Sequence, residues 1–214
     1  MTTFVNTPFG ALEGTEQDGV YRFLGVPFAE KPLGELRFRA PQMVRPWTET
    51  RQATGYEKDP MQANLVLGPE HYSEDCLYLN LWVPETTAKK LPVMVWVPGG
   101  AFATGGSGAV DPEGPSIYDC QQLAKDGGCI VVSISYRLNV FGFLNLSQFS
   151  SRFDDNIGMR DIIMALRWVQ EAIASFGGDP ENVTLVGESA GGEAISALLL
   201  IDEAKPYFHK AIIE

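Results

Sequence analysis

Five consecutive residues, Gly187-Glu188-Ser189-Ala190-Gly191, set one serine between two glycines. A serine hydroxyl attacks a carbonyl carbon when small neighbours let it project and a base takes its proton. The pattern G-x-S-x-G alone is weak evidence, since a chain with 22 Gly and 11 Ser yields roughly 0.1 matches by chance. Its flanks carry more. Val183-Thr184-Leu185-Val186 reads as a short buried strand, and Ala190 to Ile201 is apolar and long enough for a helix. Strand, tight turn and helix in that order make a nucleophile elbow, which lifts the Ser189 hydroxyl above the strand ends beside the first helical amides. The competing reading is an ordinary βα turn whose serine caps the helix.

Attack on a carbonyl also needs donors for the oxyanion that develops there, each commonly worth ~3 kcal/mol. The stretch "VWVPGGAFATGG", residues 95 to 106, can supply them. A strand ending in Pro98-Gly99-Gly100-Ala101 leaves backbone N-H groups at its carboxyl end, the edge on which an elbow serine also stands. The amides of Gly100, Ala101 and Ala190 then form a three-donor hole. A flexible Gly-rich loop is the alternative. A phosphate cradle is excluded, because neither G-x-x-x-x-G-K-[ST] nor a G-x-G-x-x-G after a strand is present.

These two stretches need a scaffold that brings strand ends together. Short strands are expected at Thr3 to Val5, Ala11 to Gly14 and Val20 to Pro27, broken by Gly and Pro as antiparallel hairpins are. Residues 28 to 72 read as a long surface connection. Leu77 to Val83, Pro92 to Val97 and Ile130 to Tyr136 follow as strands, the last two without a polar face, as parallel strands covered on both sides require. Ser116 to Asp126 reads as a helix capped by Ser116. Gly158 to Phe176 is a second, with Ile162, Ala165, Leu166, Val169 and Ile173 at helical spacing. Such alternation implies an α/β fold, a mostly parallel sheet between helices.

Composition sets outer bounds. The chain has 214 residues, 45% hydrophobic and 20% charged, which suits one globular domain with a sizeable core. A net charge of -11 argues against nucleic acid or an anionic membrane surface as partner. Residues 1 to 4 start no signal peptide, and no apolar run approaches 18 residues, so a cytoplasmic protein without a membrane span is expected. Cys76, Cys120 and Cys129 have no metal-ligand spacing and are odd in number, as reduced thiols are. No metal or cofactor is expected.

The stretches "SEDCLYLNLWVP" (73 to 84), "PGGAF" (98 to 102), "SYRLNVFGFL" (135 to 144), "DNIGMRD" (155 to 161), "ALRWVQEAIASFGGDPENVTLVGESAGG" (165 to 192) and "FHKAII" (208 to 213) closely resemble the type-B carboxylesterase/lipase family, which includes the cholinesterases. The resemblance runs in the family's order from residue 26 onward. It implies an α/β-hydrolase fold, Ser189 as nucleophile, Gly100, Ala101 and Ala190 as oxyanion amides, and a small-molecule ester as substrate. Glu188 matches an acidic residue of the family and is read as structural or electrostatic. The resemblance also suggests a structural, buried ion pair between Arg37 and Glu74; two solvated surface charges are the alternative, and the sequence alone does not choose between them.

Three departures stand out. Pro98 replaces a residue that is His or Tyr in many members. Cys76 matches a cysteine that secreted members pair with one upstream, yet residues 1 to 75 contain none. The family order is Ser, then Asp or Glu, then His, and after Ser189 the one histidine is His209, in a segment that does not match the catalytic one. His71, in a polar loop before the serine, is no better placed. Residues 1 to 214 are therefore expected to be the amino-terminal part of a single domain and inactive alone, with acid and histidine supplied by a carboxyl-terminal portion or a second chain. A catalytically silent adhesion module and a fold recruited to a non-hydrolytic reaction are the alternatives.

Overall fold

The computed structural model describes residues 1–62, 68–108 and 118–214. Its strands are β1 (Thr2–Thr7), β2 (Gly10–Gln17), β3 (Val20–Pro27), β4 (Arg51–Gln52), β5 (Asp59–Pro60), β6 (Tyr72–Ser73), β7 (Tyr78–Pro84), β8 (Leu91–Val97), β9 (Ile130–Ile134), β10 (Gly178–Gly187) and β11 (Lys210–Ile213). The α-helices are α1 (Gln121–Gly127), α2 (Asn139–Phe143), α3 (Ile157–Ala172) and α4 (Ala190–Leu198).

One sheet runs in the order β1-β2-β3-β7-β9-β8-β10-β11, with β4 beside β2. Its first half is antiparallel, since β1, β2, β3, β7 and β9 pair head to tail in succession. From β9 through β8 and β10 to β11 every pairing is parallel. The sheet is thus mixed, and the parallel character read from the alternation belongs to the half that carries the site. Parallel strands align their carboxyl ends on one edge, where loops gather.

Alternation along the strands sorts side chains to two faces. Val93, Val95, Val97, Ile130, Val132, Ile134, Val183 and Leu185 join the large core under α3 and α4. Trp82 and Val131 face the other way, against Ala124 of α1 with Cys120 and Cys129. The outer face of β8 is less covered than expected, because Pro92 is exposed and Met94 and Trp96 are half-buried. Helix α3 forms as its periodicity predicts: Ile162, Ala165, Leu166 and Val169 are fully buried, and the chain tightens into a 3-10 turn at Ile173–Phe176 before Gly177 reverses it at φ 84°.

Several bounds differ from the sequence reading. The proposed cap Ser116 lies outside the described residues, and α1 begins at Gln121, whose amide the Asp119 carboxylate accepts at 2.9 Å. Strand β10 starts at Gly178, before the expected Val183, with an irregular register between those residues. Helix α4 ends three residues early, at Leu198. The connection from 28 to 72 is more than surface: Phe28, Ala29 and Ala53 are buried, and Trp47 Nε1 donates to the Ala11 carbonyl at 3.0 Å.

Candidate active site

Ser189 stands between β10 and α4 with φ 55° and ψ -122°, a backbone conformation that L residues avoid and that surrounding structure must impose. Both flanking glycines explain how. A Cβ on Gly187 would lie 2.5 Å from the Gly191 carbonyl carbon, and one on Gly191 would overlap the Val97 carbonyl oxygen. Only bare backbone lets α4 start this close to β8 and β10. Two further bonds fix the corner: the Ser189 amide donates to the Glu214 carbonyl at 2.8 Å, and the Glu214 amide donates to the Gly187 carbonyl at 2.9 Å. The Ser189 side chain is exposed and makes no capping bond to α4. The competing reading, a helix-capping serine, therefore finds no support in the geometry.

The loop after β8 lies against this corner. A Cβ on Gly99 would stand 2.5 Å from the Glu188 carbonyl oxygen, 2.7 Å from Glu188 Oε2 and 3.2 Å from Ser189 Cβ. Beyond Gly99 the backbone takes three positive φ values in succession, 111° at Gly100 and 55° at both Ala101 and Phe102. The Gly100 carbonyl points into the loop, where it accepts the amides of Ala103 and Thr104, each at 2.9 Å, and the Thr104 hydroxyl at 3.3 Å. In a trans peptide the carbonyl and the following N-H point opposite ways, so the Ala101 amide faces away from the loop interior. The Gly99 carbonyl packs against Gly105, which turns the Gly100 amide away from Gly105 in the same manner. Among the described residues the amides of Gly100, Ala101 and Ala190 have no hydrogen-bond acceptor. Backbone donors without a protein acceptor at a strand end and a helix start can receive an anion.

The Glu188 carboxylate lies against Gly99. Tyr118 lies near it: burial raises the Tyr118 phenol above its ordinary range, and the charges of Glu188 and Asp59 raise it further.

Neither histidine meets the serine. His209 lies at the start of β11, its Nδ1 accepting the Val183 amide at 3.2 Å and its own amide donating to the Val183 carbonyl. Val183 begins the paired stretch of β10 that ends at Gly187, four residues and about 13 Å further along. His71 instead lies 3.7 Å from Glu70, in a hollow it shares with Tyr56, Asp59 and Gly108. Among the described residues no group of three or more His, Cys, Asp or Glu is placed to hold a metal. No helix among them is long and apolar enough to cross a membrane.

Sequence reasoning missed the residues that hold the loop after β8. The Tyr136 hydroxyl donates to the Pro98 carbonyl at 2.7 Å. The side chain of Asn139 donates to the Ala103 carbonyl at 2.7 Å, and its amide to the Phe102 carbonyl at 2.8 Å. Buried Asn80 accepts the Gly25 amide at 2.8 Å and donates to the Ser107 carbonyl at 3.0 Å. A lone Asn within the apolar run "LYLNLWV" was the one signal available for this, since a buried amide in a central strand needs partners.

Comparison with known proteins bears on the family and the fold. The model of the carboxylesterase family matches residues 1–214. The chain is 45% identical to the para-nitrobenzyl esterase of Bacillus subtilis (strain 168), over 98% of this chain and 43% of that protein. It is 44% identical to the liver carboxylesterase of Sus scrofa, over 95% of this chain and 37% of that one. Among solved structures, a PNB esterase superposes with a TM-score of 0.91 at 45% identity, covering 100% of this chain and 44% of that one. A carboxylesterase of Geobacillus stearothermophilus superposes with a TM-score of 0.88 at 44% identity, covering 98% and 42%. The chain spans less than half the length of these relatives. Its mixed sheet, elbow and helices are those of the α/β-hydrolase fold, and the chain belongs to the carboxylesterase family.

Proposed function

We propose that this chain carries the nucleophile and the oxyanion hole of a serine esterase acting on small-molecule carboxylic esters. Ser189 Oγ attacks the ester carbonyl carbon while its proton passes to a base. The negative charge that gathers on the carbonyl oxygen is held by the amides of Gly100, Ala101 and Ala190. The bond to the alcohol then breaks, the alcohol leaves with the proton, and an acyl-serine remains. Water attacks that ester, the carboxylic acid departs, and Ser189 regains its proton.

The observation that carries this reading is the approach of Gly99 to Ser189, where a Cβ added to Gly99 would lie 3.2 Å from Ser189 Cβ, together with three amides lacking acceptors among the described residues. A purely adhesive module has no use for a strained serine beside unpaired donors. The base and its orienting carboxylate come, in this proposal, from polypeptide outside residues 1–214, either continuing this chain or in a second one. His209 and His71 are engaged elsewhere, and the relatives are more than twice as long as the stretch matched. A reducing, cytoplasmic setting is the companion proposal, resting on three buried free thiols, Cys76, Cys120 and Cys129.

The test treats the protein with a serine-directed fluorophosphonate and then assays aryl and para-nitrobenzyl esters, the latter suggested by the name of the Bacillus relative. Labelling with ester turnover supports the proposal. In protein that includes the polypeptide supplying the base, labelling without turnover points to a non-hydrolytic reaction, and neither points to a binding module.

A further inference from the structure

The loop bearing the proposed oxyanion donors is held from outside by a side chain that the chemistry above leaves unused. Gln62 bonds twice to Gly105: its Nε2 donates to the Gly105 carbonyl at 2.7 Å, and its Oε1 accepts the Gly105 amide at 2.9 Å. The same Nε2 donates to the Pro60 carbonyl at 3.1 Å, which holds the carboxamide in one orientation. Gln62 therefore engages Gly105 as a neighbouring strand does, through one donor and one acceptor. A side-chain amide has both groups in the required fork; a carboxylate or a thioether lacks the donor.

Gly105 in turn bears on the donors. It has φ 103°, and a Cβ there would stand 2.5 Å from the Gly99 carbonyl oxygen. That carbonyl shares its peptide plane with the Gly100 amide, so the position of Gly105 limits how this plane can rotate. The next plane is set by the Thr104 and Ala103 amides converging on the Gly100 carbonyl, one residue before Gly105. Three other side chains hold the loop further on: Asp59 accepts the Gly108 amide at 3.1 Å, Asn80 donates to the Ser107 carbonyl at 3.0 Å, and the Ser135 hydroxyl accepts the Ser107 amide at 3.0 Å. From Gly105 onward Gln62 is the outside contact nearest the donors, while Tyr136 and Asn139 hold the loop at Pro98, Phe102 and Ala103.

From these contacts we infer that Gln62 is a positioning residue of the esterase: by clamping Gly105 it fixes the peptide planes whose amides receive the oxyanion. The inference rests on the reading of Gly100 and Ala101 as oxyanion donors. Gln62 touches no reacting atom. Its effect belongs to the transition state, because a donor displaced by a fraction of an ångström loses far more with a developing oxyanion than with a neutral ester carbonyl.

The experiment compares the parent protein, in its ester-hydrolysing form, with Gln62→Met, which keeps side-chain length but removes both bonds. Two readouts are taken, steady-state kinetics on a para-nitrobenzyl ester and hydrogen exchange of backbone amides in peptides covering residues 99 to 108. The expected result is a kcat lowered at least about tenfold with KM within about threefold. Faster exchange at 103 to 105 and an unchanged melting temperature should accompany it. A merely structural role would lower the melting temperature and leave kcat of the folded fraction near the parent value. A parent-like kcat overturns the assignment, with or without faster exchange. Should the Met variant fail to fold, Gln62→Glu, which retains the acceptor for the Gly105 amide, is read by the same criteria. A parent protein that neither takes the fluorophosphonate label nor hydrolyses ester overturns the esterase reading itself, and this is seen before any substitution is made.

Discussion

Arg137 and Asp161 form a bidentate ion pair inside the protein, with Nε to Oδ2 at 2.8 Å, Nη2 to Oδ1 at 2.6 Å and the Arg137 amide to Oδ2 at 3.0 Å. Their side chains are 4% and 0% exposed. The pair ties α3 to the chain just beyond β9, between Tyr136 and Asn139, the two residues that bond to the carbonyls of Pro98 and Ala103 in the loop after β8. Removing the carboxylate leaves a guanidinium buried without its counter-charge. Asp161→Ala should therefore destabilise the fold by ~3-5 kcal/mol, read by urea unfolding of the otherwise intact protein. A loss under 1 kcal/mol would show that the pair is dispensable.

Arg37 and Glu74 also pair bidentately, at 2.5 and 2.6 Å, as the family resemblance suggested. Burial was expected there as well, and it is absent: the Arg37 side chain is 47% exposed. Water screens such a pair and competes for it, so a double-mutant cycle over Arg37→Ala and Glu74→Ala should give a coupling of at most ~1 kcal/mol. A coupling of several kcal/mol would contradict this.

These two pairs show what the sequence could and could not disclose. Both lie within stretches that resemble the family, yet residue type alone did not tell which pair is enclosed. The elbow was legible because its requirement is local: a strand, two small residues and a helix are all written between 183 and 201. Helix α3 was legible because its buried face recurs at 3.6-residue spacing. The antiparallel half of the sheet was only partly so, since strand direction follows from connections whose paths depend on distant packing. Gln62 was invisible. Its role arises from a contact across 43 residues of sequence, and "DPMQ" carries no pattern that points to Gly105.

Asp59 gives the fold a specific acid response. The residue is 5% exposed, and burial pushes its carboxyl from 3.8 up to about 6, against the opposing effects of the Gly108 amide and nearby His71. A value raised on folding means that the native state keeps a proton which the unfolded chain has lost between about pH 4 and 6. Stability associated with Asp59 is therefore full below about pH 4, falls as pH rises through 6 and is absent above it. Two pH units correspond to about 3 kcal/mol. Asp59→Asn should remove this dependence, so that variant minus parent stability grows by ~2-3 kcal/mol between pH 4 and 7.5 in denaturant titrations. A difference constant across that range would refute the assignment.

The loop proposed to hold the oxyanion yields a contrasting pair of substitutions. Ala101 sits at φ 55°, which glycine accepts more readily, so Ala101→Gly keeps the amide and should leave kcat within about threefold of the parent. Proline cannot adopt that φ, so Ala101→Pro would disturb the loop as well as delete the donor. Gly99→Ala should do the opposite of the glycine variant. Its Cβ would press on the Glu188 carbonyl at 2.5 Å and on Ser189 Cβ at 3.2 Å, forcing loop and elbow apart and lowering kcat at least about tenfold. Steady-state kinetics of the two variants side by side decides the matter, and equal effects would place the oxyanion donors elsewhere.

The central claim is that Ser189 is the nucleophile, and the most direct measurement locates the covalent adduct. The ester-hydrolysing protein is treated with a fluorophosphonate, digested, and the modified residue is identified by mass spectrometry, in parallel with Ser189→Ala. The account predicts a single adduct on Ser189, in the peptide containing GESAG. In the Ala variant both adduct and ester turnover should vanish while the melting temperature stays near that of the parent, because alanine fits the corner sterically. An adduct on another serine, or hydrolysis by Ser189→Ala near the parent rate, would contradict it.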